Sequence, residues 1–188
     1  MIEIACRQQR KWIDDGYMPI CISVNQSKWL FYQTDYVDHL CEILARYEIE
    51  PQYIQLEILE GFAVENIETM NRTLKRLHEK GFCLALDDFG SGFFSLNVLS
   101  GLVVDEVKFD KDFLLESLPE KKLKNKLALK NVVSLAKDLN LSTVVEGVEE
   151  DEDEKFISSI GCNYGQGYYY SRPITPEEFE LRFLLRRK

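Results

Sequence analysis

The chain has 188 residues, 45% of them hydrophobic and 12% aromatic, with only 10 glycines and 5 prolines. It can bury a core, which excludes disorder, collagen and coiled coil and points to one globular domain, 1–188. Thirty-two acidic against 23 basic residues give a net charge of −9 and, with no long basic cluster, argue against a nucleic-acid polymer as partner. No apolar run approaches the roughly 20 residues of a membrane span, and Met1 opens no signal-peptide layout, so a cytoplasmic protein without membrane contact is expected.

In chain order, an amphipathic segment precedes ICISV (20–24), the first of several apolar runs without period-2 alternation, the pattern of strands buried on both faces. YIQLEI (53–58) follows, and then a helical segment over 66–80 with Ile67, Met70, Leu74 and Leu77 on one face and a stop at Gly81. FCLALD (82–87) and EVKFD (106–110) are the next strands. A helix over 120–139 carries Leu123, Leu127, Val132, Leu135 and Leu139, and STVVE (142–146) and a weaker NYGQGYYY (163–170) complete six strands.

Alternating strands and helices imply an α/β fold with a parallel sheet. Each strand carries polar residues at or just past its carboxyl end, in order Asn25, Glu57 with Glu60, Asp87 with Asp88, Lys108 with Asp110, Glu146 and Gln166. A barrel brings all strand ends to one rim, whereas a doubly wound sheet concentrates them at a switch point. The expected architecture is therefore a TIM-type (β/α) barrel with six parallel strands present. A closed eight-stranded barrel takes typically about 250 residues, so the expectation is an incomplete one, lacking its first two strands. Its two open edges should be covered by a second copy, by an element borrowed from a neighbour, or by the first helix packing over the gap.

The strand-end residues form an oxygen-rich, nearly imidazole-free set suited to hard cations. His39 and His78 fall on helical segments as half-packed or solvated residues, which argues against a histidine zinc site or a Ser-His-Asp device. Adjacent aspartates can share two ions, and paired ions stabilise attacking and leaving oxygens in phosphoryl chemistry. Five cysteines without CxxC pairing read as buried reduced thiols.

SVN (23–25), LEILE (56–60), DDFGSG (87–92), VKFD (107–110), EGVE (146–149) and GQGYYYSRP (165–173) together resemble the EAL-domain family, bacterial phosphodiesterases that hydrolyse cyclic di-GMP to linear pGpG. The resemblance implies two Mg²⁺ or Mn²⁺ ions, with Asn25, Glu57 and Asp87 as ligands of the first, Asp87 bridging, Asp88 on the second and Glu146 in the metal site. It implies that Lys108 and Asp110 hold and activate the attacking water and that Gln166 positions water or substrate. Glu60 would anchor the loop after the paired aspartates, with Glu149 in support. Implied partners are cyclic di-GMP, a second copy in a homodimer, and an upstream sensory or GGDEF-type domain.

Two departures accompany the match. The sequence contains no Glu-Ala-Leu tripeptide, which in the family supplies a metal ligand and lies near a phosphate-binding arginine, and IEIACRQQRKW resembles the helix that follows it. Phe93 and Phe94 stand where members commonly have tyrosine and serine. The alternative is therefore a catalytically silent module that binds cyclic di-GMP or a protein.

Other patterns have plainer readings. Asp88-Phe89-Gly90 spells the kinase DFG, but no glycine-rich phosphate loop or HRD loop accompanies it. EEDEDE (149–154) reads as a solvated first helical turn, KKLKNK (121–126) and the basic tail Arg186–Lys188 as helix surface, and Tyr168 to Tyr170 as mostly packing.

Overall fold

The computed structural model describes residues 1–63, 67–91, 96–115 and 118–184. Phe93, Phe94 and the basic tail lie outside the described residues. The chain forms two compact units: one of Met1–Ile58, Glu68–Leu84 and Pro173–Lys188, the other of Leu59–Ile67 and Ala85–Arg172. The six strands are β1 (Ile22–Asn25), β2 (Ile54–Leu59), β3 (Cys83–Phe89), β4 (Glu106–Phe109), β5 (Ser142–Val145) and β6 (Tyr164–Gly165). β1 pairs with β2, β3 with β4, β4 with β5 and β5 with β6, all in parallel, as the unalternating apolar runs predict.

In the first unit, α1 (Ile2–Asp14) and α2 (Tyr36–Arg46) pack together, and α1 lies against β1. The closing helix α8 (Pro176–Phe183) is held to α1 by Trp12, whose ring stacks 5.8 Å from that of Phe179 and whose Nε1 donates to Glu180 at 2.7 Å. An apolar cavity of about 540 Å³ is lined by residues of α1, of β1 with the two residues before it, and of α8. The helix α4 (Ile67–Glu79) buries Met70, Leu74 and Leu77 and ends at Gly81, whose φ of +91° is the left-handed conformation that glycine adopts without strain.

The second unit contains α3 (Glu60–Ala63), α5 (Leu96–Gly101), α6 (Pro119–Asp138) and α7 (Asp151–Ser159). Its core includes fully buried Phe89 and Phe109, edge to face at 5.9 Å, with Phe113 edge-on to Phe109. Burying one such ring contributes about 2–3 kcal/mol.

Four expectations are corrected. On α6 the buried stripe is Leu129, Val132, Val133 and Ala136, whereas Leu123, Leu127 and Leu139 are exposed; apolar residues occupy two faces of this helix, and the residue pattern does not say which face meets the sheet. NYGQGYYY contributes a strand only at Tyr164–Gly165, because the chain turns back on Val148 immediately afterwards. All five cysteines are free, but only Cys6 is buried. The acidic run does form the first turn of α7, yet Asp153 within it is 4% exposed rather than solvated. Both histidines are exposed on helices, as expected. Among the described residues no helix is long and apolar enough to cross a membrane.

Candidate metal centre

Neighbouring residues of a regular strand point to opposite faces, so Asp87 and Asp88 need a local irregularity to act together. β3 supplies it. Leu86 is the register partner of Val107 and Phe89 that of Phe109, so three steps along β3 match two along β4. The extra residue is a bulge, a device that re-aims side chains beside functional sites. Asp88 takes φ = +54°, a left-handed conformation that aspartate and asparagine adopt more readily than other non-glycine residues. The result is that oxygens of Asp87, Asp88 and Glu146 all lie within 4.8 Å of one another.

Lys108 reaches the same point from the centre of β4. Its Nζ lies 2.9 Å from Asp87 Oδ1 and 2.7 Å from Glu146 Oε1, with the lysine and aspartate side chains both under 10% exposed. The Asp87 contact is coulombic and is not aligned as a hydrogen bond, so Oδ1 remains a buried acceptor without a donor directed at it. Three carboxylates and such an acceptor fit a hard divalent cation. Burial, followed by repulsion from Asp87, Asp110 and Glu146, raises the Asp88 carboxyl above its ordinary pKa, against the opposing pull of Lys108.

Around this cluster the backbone is fixed by side chains. Asp110 caps the short 3₁₀ turn at Lys111–Phe113, Oδ1 accepting from the Asp112 N–H at 2.7 Å. Glu60, 4% exposed at the start of α3, accepts from the Gly90 N–H at 3.0 Å through Oε2. Gly90 has φ = +98°, and a Cβ there would fall 2.4 Å from the Phe113 ring, so no larger residue fits. Glu146, Glu149 and Gln166 line a second cavity of about 260 Å³ together with Lys111 and Tyr168. Tyr168 lies under the Arg172 guanidinium, 4.4 Å from its centroid.

In the first unit, Asn25 and Glu57 are register partners at the carboxyl ends of β1 and β2. A parallel pair with matched register places the two side chains on the same face. Glu57 is buried, whereas Asn25 is exposed.

The model of the EAL domain matches residues 1–173. The chain belongs to the EAL domain family. The EAL domain is 33% identical over 178 residues to the bifunctional diguanylate cyclase/cyclic di-GMP phosphodiesterase MucR of Pseudomonas aeruginosa, covering 95% of this chain and 26% of MucR. It superposes on the structure of the PaMucR phosphodiesterase in complex with c-di-GMP with a TM-score of 0.86 at 33% identity, covering 95% of this chain and 71% of that one. On the manganese/cy-diGMP complex of BlrP1 from Klebsiella pneumoniae the TM-score is 0.77 at 25% identity, over 92% of this chain and 42% of the other. The chain spans about a quarter of the length of the curated relatives it matches. Six parallel strands in an α/β arrangement thus agree with the barrel-type fold of the EAL family.

Three residues of this EAL domain escaped the strand-end reading. Gln26 and Tyr36 form a buried polar pair beside Asn25, and Lys111 lines the cavity at Glu146. A glutamine directly after the last residue of β1 was the available signal.

The charge-crowded position of Asp88 has a measurable consequence. A folded-state pKa above the unfolded one means that stability is fully present below the unfolded pKa and is lost as pH rises through the folded value. Asp88→Asn removes the charge and keeps a residue tolerant of the left-handed conformation. In EDTA at neutral pH it should melt above the parent, the two should converge as the pH falls into the carboxylate range, and Mn²⁺ affinity should drop about tenfold or more. Thermal melts across pH and Mn²⁺ titration check this; a variant that melts below the parent at neutral pH would contradict it.

Proposed function

We propose that this EAL domain hydrolyses cyclic di-GMP to linear pGpG with two divalent ions, Mg²⁺ or Mn²⁺. The observation that carries the reading is the convergence of Asp87, Asp88 and Glu146, with Lys108 between two of them. The likeness over 95% of the chain to a phosphodiesterase solved with c-di-GMP supports it. In this reading Asp87, Asp88 and Glu146 would hold metal in the second unit, and Asn25 and Glu57 would be metal ligands at the strand ends of the first. Ions bound by these groups supply Lewis acidity at phosphoryl oxygen and a lowered water pKa.

The remaining roles fall to the chain itself. Lys108 Nζ offers a donor to the attacking water. Asp110 Oδ2, the oxygen not used for capping, accepts its proton. Gln166 orients water or substrate, Glu60 holds the loop after Asp88 through Gly90, and Glu149 supports the cavity wall. One P–O3′ bond breaks as the water oxygen bonds to phosphorus, and the departing O3′ takes a proton from solvent, which leaves a 5′-phosphate and a 3′-hydroxyl without a covalent enzyme intermediate. The proposal extends to a cytoplasmic setting, an upstream sensory or GGDEF-type domain, supported by the two activities in MucR's name, and a homodimer, supported by exposed Leu115, Leu118, Leu123 and Leu127.

A hydrolysis assay of the parent and Glu57→Ala with Mg²⁺ or Mn²⁺ tests the reading. Loss of one metal ligand should lower turnover by about two orders of magnitude or more; equal turnover would sink the ligand assignment. The second reading is a silent module that binds cyclic di-GMP or a protein partner. Calorimetric binding of cyclic di-GMP without turnover would select that one.

A further inference from the structure

We propose that Gln26 and Tyr36 are positioning residues for Asn25, forming a buried hydrogen-bond clamp that sets the affinity of this position for a divalent cation. The inference rests on the metal-ligand reading of Asn25 given above. Gln26 follows β1 directly and is 6% exposed; Tyr36 opens α2 and is 3% exposed. The Gln26 Nε2 donates to the carbonyls of Val24 at 2.8 Å and Asn25 at 3.1 Å, while Oε1 accepts from the Tyr36 hydroxyl at 2.7 Å. Its backbone N–H donates to the Glu57 carbonyl at 2.9 Å. One residue thus grips the main chain of both candidate ligands in the first unit.

The pattern uses both amide protons and the amide oxygen of Gln26, and only one amide orientation allows it. Reversing the amide would set Oε1 against two carbonyl oxygens, a repulsive arrangement. The Tyr36 O–H therefore selects the orientation that reaches Asn25. Burial holds the tyrosine well above its ordinary pKa, so it stays a donor at neutral pH. The ring is itself fixed, edge to Phe31 at 5.4 Å, and the Phe31 carbonyl accepts from Thr73 of α4 at 3.1 Å. A side chain whose own backbone is held at its carbonyl loses little freedom on taking up an ion, the usual way outer groups raise the affinity of a ligand.

A purely structural role would lower stability without acting through Asn25, so the test is a double-mutant cycle read by Mn²⁺ binding in calorimetry or electron paramagnetic resonance. Tyr36→Phe and Gln26→Met, each verified as folded by circular dichroism, should weaken Mn²⁺ binding about tenfold. In the Asn25→Ala background neither should weaken it further. Parent-like affinity in both single variants, or a loss that persists in the Asn25→Ala background, would overturn the clamp. If Asn25→Ala itself binds Mn²⁺ as the parent does, the ligand reading fails and takes the clamp with it; a weakened Asn25→Ala beside unaffected Tyr36→Phe and Gln26→Met sinks the clamp alone. Should Gln26→Met not fold, Tyr36→Phe carries the cycle, since it removes one oxygen and keeps the ring against Phe31.

Discussion

Lys108→Met is expected to destabilise the metal-free protein by about 3 kcal/mol and to abolish the proposed hydrolysis of cyclic di-GMP. The lysine side chain is 8% exposed and lies within 3 Å of carboxylates on two different elements, Asp87 in β3 and Glu146 after β5. Removing a buried cation leaves those charges without compensation, which costs far more than the intact pair contributes. Asp88, with its carboxyl already pushed upward by the same neighbours and relieved only by Lys108, makes the deficit larger. Two further observations should accompany the loss. Without Lys108 the Asp88 carboxyl rises further and its protonation favours the folded variant, so the gap to the parent narrows as the pH falls through the carboxylate range. Millimolar Mn²⁺ should restore part of the lost stability, because an ion that binds only the folded chain stabilises it by mass action. Chemical denaturation in EDTA and in Mn²⁺, at neutral and acidic pH, reads all three effects. A variant that unfolds with the parent in EDTA would show that Lys108 does not hold the cluster together.

The same cluster marks how far the sequence could be read. The strands were legible because parallel strands buried on both faces need continuous apolar runs, and polar residues at their ends stand out against that background. The pairing of Asp87 with Asp88 was legible only as chemistry. Period 2 would have separated them, and the bulge that unites them depends on the register between β3 and β4, a tertiary property. The face of α6 was illegible for a related reason: Leu123 and Leu127 fit a helical stripe as well as Leu129 and Val133 do, and only the sheet decides between them. Gln26 was passed over because its side chain turns back on the carbonyls of Val24 and Asn25 and meets the Tyr36 hydroxyl at the start of α2, an arrangement set by the fold and not by residue type. The tyrosine-rich segment was misjudged as strand because its residues favour strands, while Gly165 and Gly167 within it serve close packing.

Gly167→Ala should be the most damaging of the glycine substitutions in the second unit. A Cβ at this position would stand 2.1 Å from the Val148 oxygen, 2.5 Å from its nitrogen and 2.7 Å from its carbonyl carbon. All three are main-chain atoms, and Val148 is fully buried, so the neighbour has nowhere to move. The Val148 peptide is also held from both sides: its N–H donates to the Gln166 carbonyl at 3.1 Å and its oxygen accepts from the Tyr169 N–H at 3.0 Å. Any shift must therefore break that pairing and displace Gln166 from the cavity it lines with Glu146 and Glu149. Overpacking of this kind costs about 2–3 kcal/mol, a fall in melting temperature of about 4–12 °C for a chain of this size, and the proposed turnover should fall with it. Gly61→Ala provides the contrast, since a Cβ there meets no atom within 4 Å and the residue lies in α3. Alanine at that helical position should stabilise by about 0.5–1 kcal/mol. Opposite signs for one substitution at two glycines would assign the loss at Gly167 to contact with Val148. Equal melting of Gly167→Ala and the parent would instead mean that the turn can open away from Val148 without cost, and Gln166 would then lack the fixed position its proposed role requires.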